Sequence, residues 1–206
     1  MSYGSQNIAV YSGSFNPLHI GHLAIIRHMI EVAGFDMVYL IVSPKNPLKD
    51  GISSDSGRER YKAAVEAVER RFLRSGLSAS GRNDSKAVEA RVKVDDIELN
   101  MPEPHYTIRT LDALKEREPD NRFTLVMGAD NLADIRRWRD YARILKEYSV
   151  AVFPREGHDL TEIKQDLLKE DPAYKIQILD AEMVDISSTQ IREAISRGED
   201  ISHCLM

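Results

Sequence analysis

The chain is 206 residues long, 42% hydrophobic and 30% charged, which is enough apolar sequence to bury a real core and excludes a largely disordered chain. A formal net charge of −5 and a pI near 5.7 argue against a general nucleic-acid or membrane-facing surface, so any anion site has to be local. The one cysteine, Cys204, rules out an internal disulfide and a cysteine-built metal cluster; with no basic-then-apolar leader and no bilayer-length run, the expected compartment is the reducing cytoplasm.

In chain order, the apolar run Ile8-Ala9-Val10-Tyr11 reads as a strand. A glycine-bounded loop, Gly13 to His22, follows; Leu23, Ile26, Ile30 and Ala33 then recur at helical spacing as far as Gly34. Met37 to Val42 predicts a second strand after a short turn, the pattern of a parallel sheet. Ser43 to Asp50 is a loop, and Ser56 with Glu59 forms a capping box for a helix to about Phe72, with Tyr61, Val65, Val68 and Phe72 as its apolar stripe. The stretch from Arg74 to Ala90 is rich in Ser, Gly, Asn and charge and reads as an insertion or mobile loop. Alternation resumes at Val92, Val94, Ile97 and Leu99, and Pro102 and Pro104 break the chain before a helix carrying Ile108, Leu111 and Leu114. Phe123 to Met127 predicts a strand whose end, Gly128-Ala129-Asp130, opens a helix bearing Leu132, Ile135 and Trp138. Val150 to Phe153 and Ile176 to Leu179 predict further strands around a helix from about Leu160 to Leu168, and a last helix starts in Ser187-Ser188-Thr189 and ends at Gly198. This alternation predicts an α/β fold, a Rossmann-like doubly wound parallel sheet with helices on both faces, with residues 1–206 as a single domain.

In such a sheet the residues just past the strand ends converge on one crevice. Gly13-Ser14-Phe15-Asn16-Pro17-Leu18-His19-Ile20-Gly21-His22 joins a strand to a helix N-terminus, where free N–H groups and the helix dipole favour an anion. His19 and His22 lie close enough to face one ligand, and an imidazole can donate to phosphate with or without a charge. One such histidine would more often be a cap or a surface group; the pair between glycines favours a phosphate site. Ile186-Ser187-Ser188-Thr189-Gln190-Ile191-Arg192 is a second helix start with the same chemistry: hydroxyls, free N–H groups and the forked cation of Arg192 one turn in. Taken alone it is simple capping more often than a site.

These two stretches resemble the paired signatures of the HxGH nucleotidyltransferases. Tyr106-Thr107 ahead of Thr110-Leu111, Gly128-Ala129-Asp130, Trp138 and Arg155 resemble the branch that acts on nicotinate mononucleotide, over roughly residues 7 to 200. The chain departs from that pattern at Ser14, Asn16, Leu48, His105 and Arg109, where the family often has Thr, Asp, His, Ser and Asp. Family members also commonly continue with a short helix past the position of Met206.

The resemblance implies adenylyl transfer from ATP to nicotinate mononucleotide, giving nicotinate adenine dinucleotide and pyrophosphate, with Mg²⁺ carried on ATP and no dedicated metal ligands in the protein. It assigns ATP to Gly13, Ser14, Phe15, His19, His22, Gly128, Asp130, Ile186, Ser187, Ser188, Thr189 and Arg192, with His19, His22 and Arg192 as catalytic donors. It assigns the mononucleotide to Asn16, Lys49, Arg60, Tyr106, Thr107, Trp138 and Arg155. Asp130 is equally a helix cap, Arg60 equally a helix-surface charge, and Trp138 equally a half-buried core aromatic. Neither nucleic acid nor membrane is an expected partner; a homo-oligomer stays open. Three other readings compete. One is a relative using nicotinamide mononucleotide or phosphopantetheine, another a nucleotide sensor without turnover. The third, a class I aminoacyl-tRNA synthetase, lacks room for an anticodon domain in a chain of this length.

Overall fold

The computed structural model describes residues 4–44, 57–75, 91–181, 188–201 and 204–206. Its frame is a six-stranded sheet, every pairing parallel, of β1 (Asn7–Gly13), β2 (Met37–Val42), β3 (Val92–Asp95), β4 (Arg122–Gly128), β5 (Val150–Phe153) and β6 (Ile176–Ile178). The strands lie in the order β3-β2-β1-β4-β5-β6. That order reverses direction between β1 and β4, which opens a crevice beyond their carboxyl ends. The expected doubly wound α/β architecture is therefore the observed one.

Strand period two sorts the core onto two faces. Ile8, Val10, Leu125, Met127, Val150 and Val152 pack on one side with α3 (Thr107–Arg117) and its Leu111 and Leu114. Ala9, Val126 and Ala151 face the other, against Ile26, Met29 and Ile30 of α1 (Ile20–Glu31) and Ala64 and Val68 of α2 (Gly57–Ser75). Small residues on that second face let α1 lie close over the central strands. Gly34, at φ +76°, ends α1 in the left-handed conformation that a Cβ disfavours.

Several boundaries differ from expectation for local reasons. The third strand stops at Asp95, whose carboxylate accepts from the Ile97 N–H at 3.0 Å; Ile97–Asn100 is instead a 3₁₀ turn. The helix after β4 covers only α4 (Ala129–Ala133), then a 3₁₀ turn at Ile135–Arg137, with Trp138 just past it in extended conformation. An element the periodicity did not reveal, α5 (Tyr141–Arg143) continued as a π-helix over Ile144–Tyr148, precedes β5. The remaining helices are α6 (Leu160–Glu170) and α7 (Ser188–Ser196). Helix α2 runs on to Ser75, taking the first residues assigned to the insertion; the rest of that stretch, residues 76–90, and Ser56 lie outside the described residues.

Candidate active site

The loop from β1 to α1 is built around Phe15. Its ring is buried and its backbone sits at φ 44°, a conformation costly for a non-glycine residue. A Cβ on Gly13 would come within 3.2 Å of that ring, so glycine there lets Phe15 fold back over the strand end. The ring then meets His22 edge-on at 5.3 Å, and Tyr11 lies 6.0 Å from the same imidazole.

His19 is the N-cap of α1, 3% exposed, and its carbonyl accepts from the N–H groups of His22 at 2.9 Å and Leu23 at 3.2 Å. The His19 N–H in turn donates to Nδ1 of His22 at 3.2 Å. An imidazole accepting at Nδ1 carries its proton on Nε2 when neutral, so this one contact makes His22 a fixed-tautomer donor. The two rings lie 3.7 Å apart between centroids. Burial, then the charge of Arg155, lowers the His19 pKa to about 4; burial, then His19 and Arg155, lowers that of His22 to about 3. Both rings are thus neutral at pH 7. Among the described residues, Nδ1 of His19 is buried and meets no hydrogen-bond partner.

Across the switch point, Asp130 stands at the start of α4 and its carboxylate lies 3.5 Å from Nε of Arg155. Gly128 makes room for this pair: a Cβ there would stand 2.6 Å from the Asp130 carboxylate and 3.0 Å from the guanidinium. The structure therefore groups Arg155 with Asp130 and the imidazoles it acts on electrostatically. The second signature comes to the first through Arg192, whose guanidinium donates to the carbonyl of Asn16 at 3.0 Å, across 176 positions of sequence. Ile186, Ser187 and Lys49 lie outside the described residues, and Ser188 and Thr189 open α7.

Tyr106 caps α3, of which Thr107 is the first residue; Tyr106 and Trp138 line a cavity of about 580 Å³ with Arg136, Arg137 and Arg139. Trp138 is half-buried against the core, and its Nε1 is buried with no hydrogen-bond partner among the described residues. An aromatic face and guanidiniums in one cavity suit a flat anionic ring.

Arg60 departs from expectation. Rather than lying on the helix surface or reaching open solvent, it is 3% exposed and donates to the carbonyls of Ser14 at 2.9 Å, Ser43 at 2.8 Å and Pro44 at 2.7 Å. It clamps two loops together, so it is not the helix-surface charge that the sequence equally allowed. The sequence also gave no sign that Leu205 bridges His19 in antiparallel fashion, or that Met206 is buried beside Leu18. Nor does any local sequence signal mark Glu98, which is buried between Ser43 and Thr110.

A model of the cytidylyltransferase-like family matches residues 10–194. The probable nicotinate-nucleotide adenylyltransferase of Flavobacterium johnsoniae is 36% identical over 200 residues, 97% of this chain and 92% of the relative. Its counterpart from Bacteroides fragilis is 35% identical over 196 residues, 95% and 85% of the two chains. Among solved structures, nicotinic acid mononucleotide adenylyltransferase of Plasmodium falciparum complexed with NaAD superposes with a TM-score of 0.71 at 20% identity, covering 96% of this chain and 87% of that one. The same enzyme complexed with APC gives 0.67 at 19% identity over the same shares.

Proposed function

The chain belongs to the cytidylyltransferase-like family and, within it, to the nicotinate-nucleotide adenylyltransferases, and on that premise we propose how its residues divide the work of the reaction. It transfers the adenylyl group of ATP to nicotinate mononucleotide, yielding nicotinate adenine dinucleotide and pyrophosphate in NAD biosynthesis. The observation that carries the assignment of roles is the bond from Arg192 to the Asn16 carbonyl, because it brings the two phosphate-binding helix starts to one place beside His19 and His22.

The mononucleotide phosphate is already an anionic nucleophile, so no covalent enzyme intermediate and no general base is needed. Its oxygen attacks the α-phosphorus in line, the bridging bond to the β-phosphate breaks, and that electron pair leaves with pyrophosphate. Catalysis is alignment plus stabilisation of charge on the phosphate oxygens. Nε2 of His22 donates to the α-phosphate, and His19 to the neighbouring phosphates. The loop of Gly13, Ser14 and Phe15 cradles the chain of phosphates, Gly128 and Asp130 receive the ribose, and Arg192 with the start of α7 holds the leaving pyrophosphate. Arg155, beside Asp130, belongs with this ATP group. Tyr106, Thr107 and Trp138 receive the pyridine ring, with Asn16 and Lys49 toward its phosphate. The donor set of neutral imidazoles, guanidiniums and backbone N–H groups suits phosphate oxygens better than Mg²⁺, which takes oxygen ligands, so Mg²⁺ would come with the triphosphate and offset its charge.

The test is pyrophosphate release by purified protein with Mg-ATP and, in parallel, nicotinate mononucleotide, nicotinamide mononucleotide and phosphopantetheine. Turnover is expected with the first and weaker or none with the other two, since a donor-rich pocket prefers a carboxylate to an amide. Release with none of the three refutes the reading.

A further inference from the structure

We propose that Glu98 is a positioning residue for this adenylyl transfer, holding the mononucleotide end of the site in register with the phosphate loop by way of Ser43. The inference rests on the function proposed above. Glu98 is 3% exposed in the 3₁₀ turn after β3. Its Oε2 accepts from the Ser43 hydroxyl at 2.6 Å and its Oε1 from the Thr110 hydroxyl at 2.7 Å. A serine hydroxyl has one proton, and Ser43 gives its own to Glu98; the 3.0 Å contact between the Ser12 and Ser43 hydroxyls is therefore donated by Ser12.

The result is one line of bonds from Ser12, immediately before Gly13, through Ser43 and Glu98 to Thr110. Thr110 lies in the first turn of α3, where its N–H donates to the Tyr106 carbonyl at 3.3 Å. Arg60 meets the same serine from the other side, donating to the Ser43 carbonyl and to that of Ser14. A buried cation and a buried carboxyl group thus flank one residue, Ser43. Apolar side chains of equal volume would fill this space at lower desolvation cost, so the polar ties are better explained by the single register they impose. The three segments joined are the phosphate loop, the turn after β2 and the start of α3. The first holds ATP and the last opens the mononucleotide pocket.

The test uses Glu98→Gln, Thr110→Val and Ser43→Ala in the full chain, with initial rates against each substrate and thermal melting. Mononucleotide binding is read separately from quenching of Trp138, the only tryptophan in the sequence. Expected is a fall of about 5- to 50-fold in kcat/KM for the mononucleotide, with KM for ATP within about twofold, since sub-ångström misalignment costs rate without removing a ligand contact. Quenching should weaken in the same variants, and Ser43→Ala combined with Thr110→Val should cost less than the product of the two single losses, because each breaks the same line. Thr110→Val removes one hydroxyl at constant volume, so a variant of Glu98 that fails to fold leaves the test intact. Parallel rises in both KM values, or unchanged kinetics in Thr110→Val and Ser43→Ala, would overturn the proposal. Wild-type protein that turns over no acceptor overturns instead the function on which it rests.

Discussion

In the role proposed for it His22 uses both ring nitrogens, and a pair of amide substitutions separates the two tasks. Nδ1 accepts from the His19 N–H at 3.2 Å, while Nε2 is the donor assigned to the α-phosphate. Asparagine places its carbonyl oxygen near the position of Nδ1, keeping the bond to His19, but has nothing at Nε2. Glutamine reaches the position of Nε2 with an amide N–H and forfeits the bond to His19. Loss of one transition-state donor costs about 10²–10³-fold in kcat, or roughly 3–4 kcal/mol. Loss of one long hydrogen bond to a backbone N–H costs about 1 kcal/mol of stability. His22→Asn should therefore melt near the wild type and lose about 10²–10³-fold in kcat, whereas His22→Gln should be slightly less stable and keep most of its rate, within about tenfold. Pyrophosphate release under saturating Mg-ATP and nicotinate mononucleotide, with melting curves as the folding control, measures both. An asparagine variant more active than the glutamine variant refutes the donor assignment.

The same imidazoles predict a pH dependence of stability. Their folded pKa values, about 4 for His19 and about 3 for His22, lie below the ~6.5 of an unfolded histidine; between those values the unfolded chain binds more protons, so stability rises with pH and is lost on acidification. The melting temperature should drop from pH 7.5 to pH 5 and drop less in His22→Asn; identical slopes would place the acid sensitivity elsewhere. Arg60→Met leaves three carbonyls without their charged donor and should cost about 3 kcal/mol, or roughly 6–12 °C in Tm; an unchanged Tm would return Arg60 to the role of a substrate ligand. Trp138→Ala should raise KM for the mononucleotide with little change in KM for ATP, and an unchanged mononucleotide KM would leave Trp138 as core packing only. Gly128→Ala should raise KM for ATP by about five- to tenfold by pushing Asp130 and Arg155 apart; unaltered ATP kinetics would separate this pair from the ribose.

The β1-loop-α1 unit was legible because its signals are local: an apolar run, glycine, and a 3.6-residue apolar period closed by Gly34. Arg192 was legible as a cation one turn into a capped helix, but its acceptor, the Asn16 carbonyl, was not, since nothing local ties residues 176 positions apart. The burial of Arg60 is not legible in composition, where a buried and an exposed arginine on a helix look alike. Its register could have shown the difference: Arg60, Ala64 and Val68 recur every fourth residue and are all buried, whereas the expected stripe was led by Tyr61 and Val65, which are only half-buried. Glu98 was hidden in an apparent strand. The spacing of three between Val94 and Ile97, which breaks strict alternation, marks where that strand ends and the turn bearing Glu98 begins.

On the roles proposed above, an acidic chain meets ATP with imidazoles as well as guanidiniums. Arg155 is held by Asp130 and Arg192 by a backbone carbonyl, so the fixed cations are partly engaged before ATP enters. His19 and His22 are uncharged at that stage, and the positive field of Arg155 is one of the causes. As negative charge gathers on the α-phosphate oxygens, the same low-dielectric surroundings make the N–H dipoles worth more, and proximity of the anion raises the imidazole pKa back toward its ordinary value. A donor that grips weakly in the ground state and strengthens with developing charge favours the transition state over bound ATP. Two arginines in those places would bind both tightly, lowering KM without the same gain in kcat.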